Sequence, residues 1–292
     1  MRNRIATWAL PCLFTLIATA SASAVTYEQA VLADNPIAYW QLNEAAGSTS
    51  VVDTVAGRVA TVIGNPVLGS PGPSSDFPGI GSTGNTAVAF DGSGDALETS
   101  GVNNVPYGAG DYSVELWFQA SFASTSINRD LFSATNAGGH GTLLEIQPVS
   151  GTGRRLRFLH RAPTGSSGGQ DVFFTLPGNG DPFWDTFHHL VGVKDDITGG
   201  MVLYLDGIAV GANTPSGNFG ATAMTIDIGR LVPGSNLRDF LGTIDEVAIY
   251  TQALSASQVA AHFAAAFVPE PASISLLLIG GAALLRRRRA TV

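Results

Sequence analysis

An all-β sandwich is the fold class this sequence predicts, on three observations. Eleven short runs of apolar-alternating residues recur between residues 38 and 250, each bounded by Gly, Asn, Asp, Ser or Pro. Between them no stretch has the length and 3.6-residue apolar period of a long helix. Thirty-five glycines among 292 residues supply the turn conformations that many short strands require.

The elements follow in chain order. Arg2 and Arg4, an apolar stretch from Ile5 to Ala20 and the small-residue site Ala22-Ser23-Ala24 read as a secretory signal peptide, residues 1–24, cleaved before Val25. The single cysteine, Cys12, lies within it, so the mature chain has no internal disulfide and no Cys-rich zinc site. Thr26-Tyr27-Glu28-Gln29 fits a capping box and predicts a short helix before the strands. The strand runs are 38–42, 86–90, 112–120, 142–149, 154–160, 171–176, 188–194, 201–205, 208–212, 224–229 and 242–250. Asp206-Gly207 joins two of them as a two-residue hairpin, because glycine accepts the positive φ that a type I′ turn demands. A second hairpin is expected around Ser150-Gly151-Thr152-Gly153. Segment 64–85, rich in Gly, Pro and Ser, reads as a long surface loop. Ser255-Ala256-Ser257-Gln258 is a second capping box, and its helix places Val259, His262 and Phe263 on one face.

The chain ends on Val268-Pro269-Glu270-Pro271, then 14 mostly apolar residues (272–285), then Arg286, Arg287, Arg288 and Arg289. The apolar run falls short of the ~20 residues that span a bilayer comfortably. The arginines favour the cytoplasmic side. Short polar motif, apolar run and basic stop, in that order, resemble the PEP-CTERM sorting signal of bacteria that secrete extracellular polysaccharide. The resemblance implies transient membrane insertion through the C-terminal helix and cleavage near Pro-Glu-Pro by an exosortase. It also implies an exported protein of the cell envelope or extracellular matrix of a Gram-negative-type bacterium. The competing reading is an ordinary single-span anchor. The chain divides accordingly into residues 1–24, a domain at 25–267, and a sorting signal at 268–292.

Within the domain, EQAVLADNPIAYWQLNEAAG leads to VAFDGSGDALE and YSVELWF; FHHLVGVKDD, MVLYLDGIAVG and FLGTIDEVAIYTQALSASQVAAHF follow. This order is similar to the LamG-like, concanavalin A-like jelly-roll β-sandwich domains of bacterial secreted proteins. The resemblance covers nearly all of 25–267. It rests on fold-making residues: Trp40 and Phe90 in apolar runs, and Leu116 and Phe118 alternating with Glu115, Trp117 and Gln119, one face buried and the other expected wet. A fold does not by itself fix a function.

Catalytic patterns are scarce. No E-x-D-x-x-E run, H-E-x-x-H or phosphate-binding GxxxxGK[ST] is present. Asp245 and Glu246 are adjacent, so on a regular strand they point to opposite faces and do not form an acid pair. Gly165-Ser166-Ser167-Gly168-Gly169 matches G-x-S-x-G, but a strand follows where a nucleophile elbow needs a helix. His188-His189 opens a strand, with one ring expected inward and one in solvent. The reading is non-catalytic, with a polysaccharide hydrolase on the same fold and a purely structural matrix protein as alternatives.

Three sets of residues are candidates for binding. The resemblance implies a structural Ca²⁺ between the first and last strands, with Asp245, Glu44 and Asp53 as ligands; the bland alternative is turn and cap carboxylates. Arg155 and Arg157 share a strand face, and a guanidinium fork suits the carboxylates or sulfates of an exopolysaccharide or cell-surface glycan. The alternative there is cross-strand pairing with acids such as Glu145. Trp184, in a turn-rich segment, is either a sugar-stacking platform or a cap on the core.

Charge sharpens this. The whole chain is −8, but residues 25–267 hold nine basic and 22 acidic residues, a net charge of −13. That excludes a general nucleic-acid binder, which needs a basic face. Four of those nine cations, Arg154, Arg155, Arg157 and Arg161, fall within eight residues.

Overall fold

A computed structural model describes residues 25–268, apart from 82–83, 122–126, 138, 152, 167–168, 215–216, 221 and 232–237. The predicted signal peptide and the sorting signal beyond Val268 lie outside the described residues. No helix among the described residues is long and apolar enough to cross a membrane.

Two antiparallel sheets form the sandwich. One has the order β15 (Ile208–Asn213), β14 (Gly200–Leu205), β13 (His188–Asp195), β8 (Tyr112–Ala120), β17 (Leu241–Tyr250), β5 (Thr86–Asp91), β4 (Val67–Pro71), with β1 (Ala38–Trp40) also paired to β17. The other runs β12 (Gln170–Leu176), β11 (Arg154–His160), β10 (Gly139–Pro148), β9 (Arg129–Asn136), β16 (Thr222–Ile228), β6 (Ala96–Thr99), β3 (Val59–Ile63), β2 (Ser50–Val52), with β7 (Val105–Tyr107) on β16. The period-two alternation of strands sends Leu116, Phe118 and Ile244 from the first sheet, and Phe132, Leu144, Phe158 and Ile226 from the second, into one shared core with Trp40 and Phe90.

The far face of the first sheet is not wet, contrary to the sequence expectation for β8. Helices α1 (Tyr27–Ala33) and α2 (Ala256–Ala265) cover it, and Tyr27, Val31, Trp117, Val191, Tyr250 and Val259 form a second apolar layer beneath them. Both helices carry the expected reciprocal capping boxes, Thr26 with Gln29 and Ser255 with Gln258. His188 and His189 are likewise both buried, because each ring finds a partner in this covered layer or at its edge. His188 Nδ1 lies 2.8 Å from Asp206 Oδ2 and its ring stacks on Phe183; His189 Nε2 lies 2.7 Å from Glu115 Oε1.

Both hairpins form as expected. Leu205 pairs with Ile208 around Asp206 (φ 51°) and Gly207 (φ 76°), and Pro148 pairs with Arg154. Segment 64–85 is not wholly loop. Val67–Pro71 is an edge strand on β5, and its Gly69 (φ 74°) coincides with a register shift. Gly and Pro punctuation hides such a bulged edge from a periodicity reading.

Candidate functional site

Alternation on β10, β11 and β12 builds the outer face of the second sheet. Leu144, Ile146, Leu156 and Phe158 point into the core, so Glu145, Gln147, Arg155 and Arg157 point away from it. Register places Arg157 opposite Glu145 on one side and Phe173 on the other, and Arg155 opposite Gln147. Arg157 is clamped: Nη1 donates to Glu145 Oε1 at 2.7 Å and Nε to Asp171 Oδ1 at 2.5 Å. Burial opposes its charge, but these two acids outweigh burial and raise its pKa. Arg155 is held differently. Its Nε donates to Gln147 Oε1 at 2.9 Å, and its guanidinium lies 3.9 Å from the centre of the Phe173 ring. Phe173 is 41 % exposed, an aromatic surface with a stacked planar cation. Arg154, in the phase of Leu156, is buried at the strand's end.

This face also holds a carboxyl pair that sequence reasoning missed. Asp130 on β9 stands opposite Glu145, and both are fully buried. Glu145 accepts from Gln147 (2.6 Å), Arg157 (2.7 Å), Arg238 (2.9 Å) and Asn128 (3.2 Å). Neither Asp130 oxygen accepts a hydrogen bond; Arg238 Nε stands 4.0 Å from Oδ2. Burial and the neighbouring Glu145 push the Asp130 pKa well up, and the Arg238 and Arg157 charges oppose them. Only the β9–β10 register, absent from any local pattern, brings the two together.

A second acid pair sits on β17, where the sequence expectation is corrected. A bulge between Asp245 and Ala248 and a left-handed Glu246 (φ 54°) break the alternation, so the neighbours do not diverge. Asn85 Nδ2 reaches both, Asp245 Oδ2 at 3.1 Å and Glu246 Oε1 at 3.5 Å, and Tyr39 donates its hydroxyl to Glu246. Both are buried; desolvation, joined at Asp245 by the Glu246 charge, raises Asp245 well above the carboxylate range and Glu246 to about 8. Glu246 lines a cavity of about 210 Å³ together with Glu28, Gln41, Asn43 and Asn85.

The predicted calcium ligands are only partly brought together. Asp245 Oδ1, Glu44 Oε2 and Asn85 Oδ1 are buried with no hydrogen-bond partner, and the Glu44 charge is felt at Asp245. An all-oxygen set of this kind suits Ca²⁺ in chemistry. Asp53 stands apart. Its oxygens accept from the N–H groups of Tyr39, Val55 and Ala56 and from Arg58, the signature of a turn carboxylate. Among the described residues no group of three His, Cys, Asp or Glu is arranged to hold a metal. Trp184 is buried in the main core, and its indole donates to Gly178 O at 3.0 Å. It also lines a cavity of about 190 Å³ with Asp181 and Asp185.

No curated protein matches the chain. Among solved structures it is similar to the binding domain of botulinum neurotoxin DC in complex with rat synaptotagmin II (15 % identity, TM-score 0.57, 80 % of this chain and 52 % of that one). It is also similar to the botulinum neurotoxin serotype G binding domain (12 %, TM-score 0.55, 78 % and 50 %) and to the structure titled HCR/D-Sa-GBL1/C (16 %, TM-score 0.57, 80 % and 52 %). The chain spans about half the length of these structures, and at such identities the likeness is one of fold. A family model described as the concanavalin A-like lectin/glucanases superfamily (Laminin_G_3) matches residues 91–260, more than half of the sequence, and the chain belongs to that family.

Proposed function

We propose that this domain is a non-catalytic binding module that recognises glycan outside the cell, using the outer face of the β10–β11–β12 sheet. The observation behind this reading is the exposed Phe173 ring with Arg155 stacked on it and Gln147 fixed beside it. A flat apolar face next to planar donors matches a sugar ring bearing hydroxyl or acidic groups. Likeness to binding domains supports the same side of a superfamily that also contains glucanases. In this reading the signal peptide exports the protein, and an exosortase removes the tail at Val268-Pro269-Glu270-Pro271 ahead of Arg286–Arg289, leaving the domain at the envelope or in the extracellular matrix.

The acid pairs are the one observation that favours a hydrolase. Asp130 and Glu145 are both fully buried, and Glu145 already accepts four donors, so neither carboxyl is presented to a glycosidic bond at the surface. A structural Ca²⁺ held by Asp245, Glu44 and Asn85 fits the binding reading better: it would neutralise buried carboxylates near the first and last strands.

A glycan array probed with the purified protein, with calcium or chelator, tests the proposal. Binding to exopolysaccharide-type glycans that Phe173→Ala abolishes is expected. Failure to bind any glycan, or hydrolysis of one, overturns it.

A further inference from the structure

Arg155 and Arg157 are engaged by protein groups, and the third arginine of this face differs from them. Arg161 follows β11 directly, and its backbone N–H donates to Gly141 O at 2.8 Å. Its Nη1 lies 2.5 Å from His140 Nε2, so the guanidinium meets a neutral ring instead of an acid. Its Nε–H is buried and has no acceptor. Leaving a guanidinium N–H buried and unmatched is costly, and an oxyanion is the strong acceptor that answers it.

The surroundings repeat the signal. A Cβ added at Gly169 would stand 2.5 Å from Leu159 Cδ1, 2.7 Å from Arg161 Cγ and 3.1 Å from its Nε, so only a glycine lets this backbone lie directly against the Arg161 side chain. Gly165 donates its N–H to His140 O at 3.0 Å and brings Ser166 to this end of the sheet, where the Ser166 Oγ is also buried without a partner. His140 reports the local field. Burial, then Arg161, Arg238 and Arg157, hold its pKa down to about 4, with Glu145 opposing weakly. Asp171 and Glu145 are the acids whose charges reach Arg161, but hydrogen bonds commit them to Arg157, Arg238, Gln147 and Asn128. Three arginine charges act on His140 here, inside a domain of net charge −13.

We propose that Arg161, with His140 and Ser166, forms an anion subsite at the His160 end of the binding face, taking the carboxylate or sulfate of an acidic glycan. The inference rests on the glycan-binding reading and names the class of glycan. The anion accepts from Arg161 Nε and the Ser166 hydroxyl, and its charge draws a proton onto His140. Arg155 and Phe173 hold the sugar ring while Arg161 selects its acidic group.

The test follows the His140 ring by NMR in the full purified protein, against inorganic sulfate, a uronic-acid oligosaccharide and a neutral oligosaccharide. Saturating sulfate or uronate is expected to raise the His140 pKa by at least one unit, and the neutral sugar to leave it in place. Which anion acts at lower concentration assigns the source. Arg161→Gln should weaken the anion at least tenfold, and Arg161→Lys should recover part of that loss. A His140 titration unmoved by both anions in the wild-type protein overturns the subsite, whether or not the variants fold. Glycan capture that depends on Phe173 while His140 stays unmoved rejects the subsite alone. A sulfate response without capture of any glycan rejects the wider reading alone.

Discussion

His262 on α2 faces carboxylates with both ring nitrogens: Nδ1 lies 3.0 and 3.1 Å from the two oxygens of Glu115, and Nε2 lies 2.9 Å from Asp34. Glu115 is fully buried and also accepts from Tyr27, Tyr250 and His189, so one carboxylate ties α1, β13, β17 and α2 to β8.

Burial alone would lower the His262 pKa, but Glu115 and Asp34 raise it to about 9. The ring binds its proton more tightly folded than unfolded, so its stabilisation is full below about pH 6.5 and is lost as pH rises through about 9. His262→Gln is expected to remove that alkaline slope from the melting temperature. Glu115→Ala, which strands the imidazolium, should cost roughly 3–5 kcal/mol by chemical denaturation.

Asp245 and Glu246 give the opposite chemistry a similar sign. Their raised pKa values mean that the metal-free fold loses stability as pH climbs from the usual carboxylate range toward about 8. Calcium should restore the melting temperature at pH 8 and do little at pH 5, and Asp245→Asn should abolish that response. An unchanged melting temperature on calcium addition at pH 8 rejects the cation.

Arg155 and Arg157 should separate binding from folding. Arg157→Ala leaves Glu145 and Asp171 short of a donor and should cost about 2 kcal/mol, the pair being partly exposed. Arg155→Ala should leave the urea midpoint nearly unchanged and weaken glycan binding about tenfold. Equal losses of stability in both variants would contradict the division.

Gly207→Ala probes the β14–β15 hairpin. Gly207 has φ 76°, and a Cβ there would meet Phe263 at 3.0 Å, so a loss of about 1–3 kcal/mol in a urea titration is expected.

Mass spectrometry of the exported protein should find a chain beginning at Val25 and lacking Arg286–Arg289. An intact arginine tail on that material would sink the sorting proposal.

Legibility in the sequence followed locality. Eleven strands, both hairpins and both capped helices announce themselves within ten residues or fewer. Strand β9 does not, because Arg129 and Asp130 open it and both its faces are buried. The shared face of Arg155 and Arg157 follows from period two alone. The pairing of Asp130 with Glu145 needs the register of two strands, and the convergence of Asp245 with Glu246 needs a bulge and a positive φ that no alternation rule anticipates. Around Glu115, donors from residues 27, 189, 250 and 262 meet a residue distant from all of them in sequence.

Strand β17 is late in the chain and central in space, with β8 along one edge and β5 and β1 along the other. Until residues 241–250 arrive, β5 and β8 have no common neighbour and β1 has no sheet to join. The amino-terminal half therefore cannot mature ahead of the rest, and closure of the sandwich is a single late event of long-range pairing. A chain threaded outward from its N-terminus would stay open, and fit to pass a narrow channel, until residues 241–250 had crossed.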